Sequence, residues 1–262
     1  MFKMNVFFVA VILGYTVFGI HAFISEDLEP LTDAIIKAIN DLETTWKAGG
    51  NFNGHNFNEI KNLISNVTDN EAFETKTFNG KKLPENFDAR LEWPNCTSIG
   101  KIYKQDSCTP SWIYASVGQI ADRICIRTGV KIDVEKTIVN YFQLDPIEPK
   151  TYIDKMHALL DGPITIYLDV YSDFFSYKSG IYKRTSSKKM GTHAIKIIGW
   201  GVENGVKYWL ISNSWGTQWG DKGFFKIRRG EGEFGVDIRS VAVSISSGKM
   251  PSSYDRYQLF YQ

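Results

Sequence analysis

Apolar positions follow two rhythms along the chain, helical in the first part and strand-like in the last. Leu31, Ala34, Ile35, Ala38 and Ile39 recur at helical spacing, and Thr32-Asp33 is placed to start that helix. Thr44 to Phe52 breaks the pattern with Gly49-Gly50, and a short amphipathic piece follows around Ile60, Leu63 and Ile64. Residues 66–82 are polar, rich in Asn, Lys and Glu, and read as a linker; the composition changes at Leu83-Pro84, which sets a boundary near Lys82. A longer helix is predicted from Pro110 to Ile126, with Ile113, Val117, Ile120, Ala121 and Ile124 as its apolar stripe. Thr109 is placed to cap it, and Pro110 suits the first helical position because the N–H it lacks has no partner there. Gly129 ends this helix, and another is expected from Tyr152 to Leu160, stopped at Gly162-Pro163.

From Ile164 onward the pattern turns to strands, expected at Ile164–Val170, His193–Gly199, Val206–Ser212, Phe224–Arg228 and Val241–Ile245. Asn204-Gly205 is a hairpin signal between two of them. Helices first and antiparallel strands second make an α+β chain, expected in two lobes.

The first residues change the picture of where the chain works. Lys3, the apolar run Val6 to Ile20 and then His21-Ala22 make a secretory signal, residues 1–22, with cleavage expected after Ala22. An uncleaved anchor is the alternative, but the run is shorter than the ~20 residues of a spanning helix. Secretion permits disulfides and makes Asn66-Val67-Thr68 a glycan acceptor; Asn95-Cys96-Thr97 fits the same pattern.

Composition excludes more than it selects. The 262 residues carry a net charge of +1 and are 43% hydrophobic, enough for one sizeable core or two lobes. Near-neutral charge without a basic stripe argues against a nucleic-acid partner. His21, His55, His157 and His193 are scattered, and no Cys or His pair has metal-ligand spacing, so neither a metal nor another cofactor is expected.

The segment Gln105-Asp106-Ser107-Cys108-Thr109-Pro110-Ser111-Trp112 carries the candidate chemistry, together with His193-Ala194-Ile195 and Asn213-Ser214-Trp215-Gly216-Thr217-Gln218-Trp219-Gly220. Taken singly, each has a plain structural reading. Ser111 is a first-turn helix serine, His193 a packed residue at a strand start, and Asn213-Ser214-Trp215 a strand end and turn.

Together, and with Thr44-Thr45-Trp46-Lys47-Ala48-Gly49, Leu83 to Arg90, Trp93 to Cys96, Asp122 to Ile126, Val170 to Phe174, Tyr177 to Gly180 and Gly199 to Gly205, these segments resemble the cathepsin B-like branch of the papain-like cysteine peptidases. The resemblance implies a papain-like two-lobe fold, with a propeptide at 23–82 and a peptidase domain at 83–262. It implies a nucleophile position at Ser111, where the family has Cys, with His193, its orienting Asn213 and the oxyanion donor Gln105. It also implies substrate-cleft tryptophans Trp112, Trp215 and Trp219 and a disulfide between Cys96 and Cys125. In the family a thiolate at a helix N-terminus pairs with a protonated His, and an amide side chain with a backbone N–H holds the oxyanion.

Two departures weaken the implied activity. A serine hydroxyl is too weakly acidic to form an alkoxide–imidazolium pair. His193 also follows Ser111 by only 82 positions, against roughly 130–150 in papain relatives, which places a shortening of the helical lobe between about 129 and 149. By resemblance the lost segment holds the partner of Cys108, leaving Cys108 as a free or intermolecular thiol. Asp106, Thr109-Pro110 and Thr192 also differ from the family pattern. The leading expectation is a catalytically inactive pseudopeptidase of the secretory pathway, lysosomal or extracellular, whose partners are peptide or protein ligands such as peptidase inhibitors, with neither nucleic acid nor membrane engaged once the signal is removed. A weak hydrolase using Ser111, His193 and Asn213, and a degenerate or mis-assembled gene copy, are the alternatives.

Overall fold

The computed structural model describes residues 23–52, 54–64, 74–75, 82–106, 109–137, 146–148, 151–232 and 240–243. In chain order the elements are α1 Asp33–Asp41, β1 Trp46–Ala48, α2 Phe57–Ile60, β2 Glu74–Thr75, β3 Phe87–Asp88, α3 Ala89–Glu92, α4 Ser111–Thr128, α5 Val134–Thr137, β4 Pro146–Glu148 and α6 Tyr152–Leu159. Then come β5 Ile164–Tyr171, β6 Tyr177–Tyr182, β7 Lys189–Glu203, β8 Val206–Ser212, β9 Phe224–Arg228 and β10 Ser240–Val243.

Local chemistry explains the helix ends. Thr32 caps α1 by accepting the Ile35 N–H. Thr151 and Asp154 form a reciprocal capping box on α6. α4 stops at Gly129, whose left-handed backbone (φ 76°) returns its N–H to the Cys125 carbonyl. Its start differs from the sequence expectation: Pro110 is the cap residue and Ser111 the first helical residue, because Pro110 is extended (ψ 145°) and Thr109 turns back to donate its N–H to Asp106 Oδ1.

The strands run in the order β1-β6-β9-β8-β7-β5-β10-β4-β2, with β3 paired to β7. β7 is the axis, pairing antiparallel with β5 and β8. It begins four residues before the expected start and ends four beyond it, because both faces stay covered through Gly201. Asn204 (φ 50°) and Gly205 (φ 77°) turn the chain from β7 into β8, as the hairpin signal requires.

The helices-then-strands division needs correction, since β1 to β4 all precede Ile164. β1 lies far upstream, in the glycine-broken stretch, and pairs antiparallel with β6. Gly180 permits this: a Cβ there would stand 2.5 Å from the Thr45 carbonyl oxygen. β1 is only three residues long and β6 only partly alternating, so neither shows in the hydrophobic pattern.

One core joins the N-terminal segment to the sheet. Ile35, Ile39, Trp46 and Ile60 bury against Phe174, Phe175, Tyr177, Trp215 and Trp219 in a single cluster. Trp46 is 1% exposed, lies edge-on to Tyr182 at 5.1 Å, and donates its indole N–H to the Lys183 carbonyl. A second cluster holds the Cys96–Cys125 disulfide, as the resemblance implied, and ties the end of α4 to the loop before it.

Candidate functional site

α4 and β7 meet side on, which brings Ser111 beside His193 and Ala194. A buried ion pair bolts them together: Lys196 Nζ on β7 stands 2.6 Å from Asp122 Oδ2 on α4, and both side chains are almost fully buried. Burial pushes the Asp122 carboxyl above its ordinary range, opposed by Lys196.

On the strand side the groups are tightly ordered. His193 Nε2 lies 2.7 Å from Asn213 Oδ1, which also accepts the Ser214 N–H at 2.7 Å. That oxygen already serves as an acceptor, so Nε2 carries the proton. Trp215 covers the pair, its ring 4.7 Å from the imidazole and stacked on Phe175. His193 is fully buried, and this lowers its pKa to about 4; the Asn213 hydrogen bond and the nearby Leu63 backbone favour the charged form without outweighing burial. His193 is therefore a neutral imidazole at pH 7.

On the helix side Ser111 is 3% exposed and its Oγ accepts the Ala194 N–H at 3.0 Å. No hydrogen bond joins Ser111 to His193, and His193 Nδ1 makes no well-formed hydrogen bond among the described residues. Gln105 is held on both faces of its amide. Its Oε1 accepts from Ser214 Oγ at 2.5 Å, which turns Nε2 toward the Leu63 carbonyl at 3.0 Å. A main-chain carbonyl from the N-terminal segment thus sits on the amide donor expected to hold an oxyanion.

Beside this contact lies a cavity of about 630 Å³, walled by Gly50 to Leu63 on one side and by Lys104 to Asp106, Lys178 and Trp215 to Trp219 on the other. Trp215 and Trp219 line it; Trp112 is half-buried one residue into α4 and lies outside its lining. Cys108 and Asn66 lie outside the described residues, as does the expected signal segment. Among the described residues no helix is long and apolar enough to cross a membrane, and no group of three metal-ligating side chains stands together.

Sequence reasoning assigned no role to Ser214 or Leu63. Ser214 follows Asn213 in a recognised motif, but only the fold shows that its hydroxyl sets the Gln105 amide. Leu63 was read as an apolar position, and a main-chain carbonyl leaves no trace in a side-chain pattern.

A largely antiparallel sheet packed on a long helix that carries a hydroxyl at its first turn, faced by a His–Asn pair and a cleft-directed Gln, defines a papain-like fold. The papain family cysteine protease profile matches residues 83–140 and 137–244, and the chain belongs to that family. It is similar to cathepsin B-like cysteine proteinase 3 of Caenorhabditis elegans, at 27% identity over 96% of this chain and 93% of that protein. It is also similar to a cathepsin B-like cysteine proteinase of Schistosoma japonicum, at 27% identity over 83% of this chain and 92% of the relative. Among solved structures, procathepsin B S9 from Trypanosoma congolense superposes with a TM-score of 0.73 at 25% identity, covering 83% of this chain and 99% of that one. The stem bromelain precursor, at 20% identity and a TM-score of 0.65 over 81% of this chain and 88% of its own, shares the fold.

Proposed function

We propose that this cathepsin B-like chain binds peptides or proteins without cutting them, as a pseudopeptidase of the secretory pathway. In this reading residues 1–22 are the signal, 23–82 the prosegment and 83–262 the peptidase-like domain. The observation that carries it is Ser111: its Oγ is bound to the Ala194 N–H and not to His193. A serine nucleophile needs a general base at the moment of attack. In serine proteases, replacing the orienting Asp of that base by Asn lowers turnover about 10⁴-fold. Here the orienter is already an amide, Asn213, and no hydrogen bond between Ser111 and His193 stands among the described residues.

The length of the chain supports a shortened helical lobe. The alignment to the Caenorhabditis elegans relative runs over 350 positions, more than the 262 residues present here. The family profile also matches in two pieces that meet at 137–140, inside the region where the shortening is expected. A shortened substrate wall and the missing thiolate point the same way: a cleft that keeps its tryptophans, Trp215 and Trp219, without bond cleavage.

The test is hydrolysis of a fluorogenic dipeptidyl substrate by the purified secreted chain, with and without Ser111→Ala. The expected result is no Ser111-dependent turnover and no labelling of Ser111 by a fluorophosphonate probe. Turnover that disappears in Ser111→Ala would establish the weak hydrolase instead.

A further inference from the structure

We infer that Asn95 is an N-glycosylation site, modified while the chain is entering the secretory pathway and before the adjacent Cys96 closes its bridge to Cys125. This rests on the secretory part of the reading above and is independent of what Ser111 does.

Asn66 and Asn95 open the two Asn-X-Ser/Thr triplets of the chain, and neither has proline in the middle. The fold adds the surroundings of Asn95. The Cys96 N–H donates to the Trp93 carbonyl at 3.0 Å, so Trp93-Pro94-Asn95-Cys96 is a β-turn with proline at its second position and Asn95 at its third. Asn95 and Thr97 are both exposed, whereas Cys96 between them is 6% exposed and bonded to Cys125. Neither Asn95 nor Thr97 lines the cleft cavity. A bulky glycan on this turn is therefore compatible with the fold and with the cleft.

The middle residue sets the order of events. Transfer to asparagine brings the hydroxyl of the third residue to the acceptor amide, which requires a pliable triplet. In the folded chain the triplet is held by the turn, by the bridge, and by the Ile99 N–H, which donates to the Cys96 carbonyl at 3.1 Å and opens the 3₁₀ turn Thr97–Gly100. Glycan addition therefore precedes closure. Synthesis allows this: Cys125 follows Cys96 by 29 residues, and at about 5–20 residues per second it arrives about 1.5–6 s later. Bridge formation then takes seconds or longer. In that interval the native partner of Cys96 is not yet in the compartment.

The step is a displacement. Asn95 Nδ2 bonds to the anomeric carbon of an oligosaccharide carried on a lipid pyrophosphate. The bond from that carbon to the pyrophosphate oxygen breaks, the lipid pyrophosphate leaves, and the amide nitrogen gives up one proton. The donor lipid belongs to the secretory membrane, and the step needs neither oxidant nor reductant.

The experiment expresses the full chain as Asn66→Gln in secreting animal cells, so that Asn95 is the remaining acceptor. The secreted product is expected to run faster on a gel after peptide N-glycosidase, with Asn95 converted to aspartate. Thr97→Ala, at an exposed position, is expected to abolish both signals without disturbing the fold. Peptide mapping without reductant is expected to find the glycan on chains whose Cys96 is joined to Cys125. Cys125→Ala is expected to change occupancy by less than about twofold, since the glycan is added before Cys125 arrives. An unmodified Asn95 in the secreted chain would overturn the site. A several-fold rise in occupancy in Cys125→Ala would overturn the order, because bridge closure would then be the competitor. A chain found in the cytosol with residues 1–22 attached would sink the secretory reading itself and the site with it, a result told apart by where the chain is recovered.

Discussion

On the strand side of the site, His193, Asn213 and Ser214 hold one another through Asn213 Oδ1 and lie under Trp215, whereas on the helix side Ser111 gives its oxygen to the backbone of Ala194. The first arrangement orients an imidazole; the second pins a helix to a strand. The strand side keeps its form because each member is also a structural partner of the next, so losing one costs stability as well as chemistry. At the first turn of α4 a single atom decides function, and a hydroxyl in place of a thiol is readily absorbed as a hydrogen-bond acceptor.

The bolt between the two sides should give the largest effect. Lys196→Ala leaves the buried Asp122 carboxyl without its partner and is expected to cost about 3–5 kcal/mol, read from the urea midpoint. Replacing both residues, Lys196→Met with Asp122→Leu, should recover most of that loss. If the double variant is as unstable as the single one, the two sides are held together by something else.

The helix side is expected to depend next on its covalent anchor. Removing the bridge with Cys96→Ala and Cys125→Ala opens a loop of sequence separation 29, worth about 3–4 kcal/mol in the chain-entropy account. A loss well below this, measured under the same conditions, would mean that the Ala89, Ile99 and Ile198 cluster around the bridge is sufficient alone.

The strand side should reveal itself through pH. The folded pKa of His193, about 4, lies below the ordinary 6.5, so the unfolded chain takes up a proton that the folded chain refuses. Its contribution is fully present above pH 6.5 and is lost as pH falls toward 4, by about 3 kcal/mol in all. His193→Gln does not titrate, so the stability gap between the parent and this variant should narrow across that window. A gap that stays constant would show that His193 is not held neutral.

Much of this was legible in the sequence, for reasons particular to each element. α1, α4 and α6 carry strong periodicity and local caps, so their spans came within a residue or two, and β8 and β9 alternate between turn signals. β1 and β6 escaped because three and six residues give too little pattern, and their pairing depends on Gly180 admitting Thr45. Within the site, Gln105, Ser111, His193 and Asn213 were named from motif order, and the fold brings them together. The neutrality of His193, the orientation of Gln105 by Ser214 and the carbonyl of Leu63 are not legible, because the first comes from burial and the other two from contacts between residues more than 40 apart in the chain.

The smallest effect bears most directly on what Ser111 does. As a hydrogen-bond acceptor it satisfies a buried backbone donor, so Ser111→Ala should leave the Ala194 N–H unpaired at a cost of about 1–2 kcal/mol. Ser111→Thr keeps the oxygen and should restore part of that stability if the extra methyl is tolerated at the first turn. A nucleophile under selection for reactivity behaves the other way: its removal alters turnover and leaves folding unchanged or improved, because active-site groups are commonly held at some expense of stability. The denaturant midpoints of the parent, Ser111→Ala and Ser111→Thr therefore sort the two roles without any substrate. A Ser111→Ala chain at or above parental stability would return Ser111 to the catalytic side of the comparison.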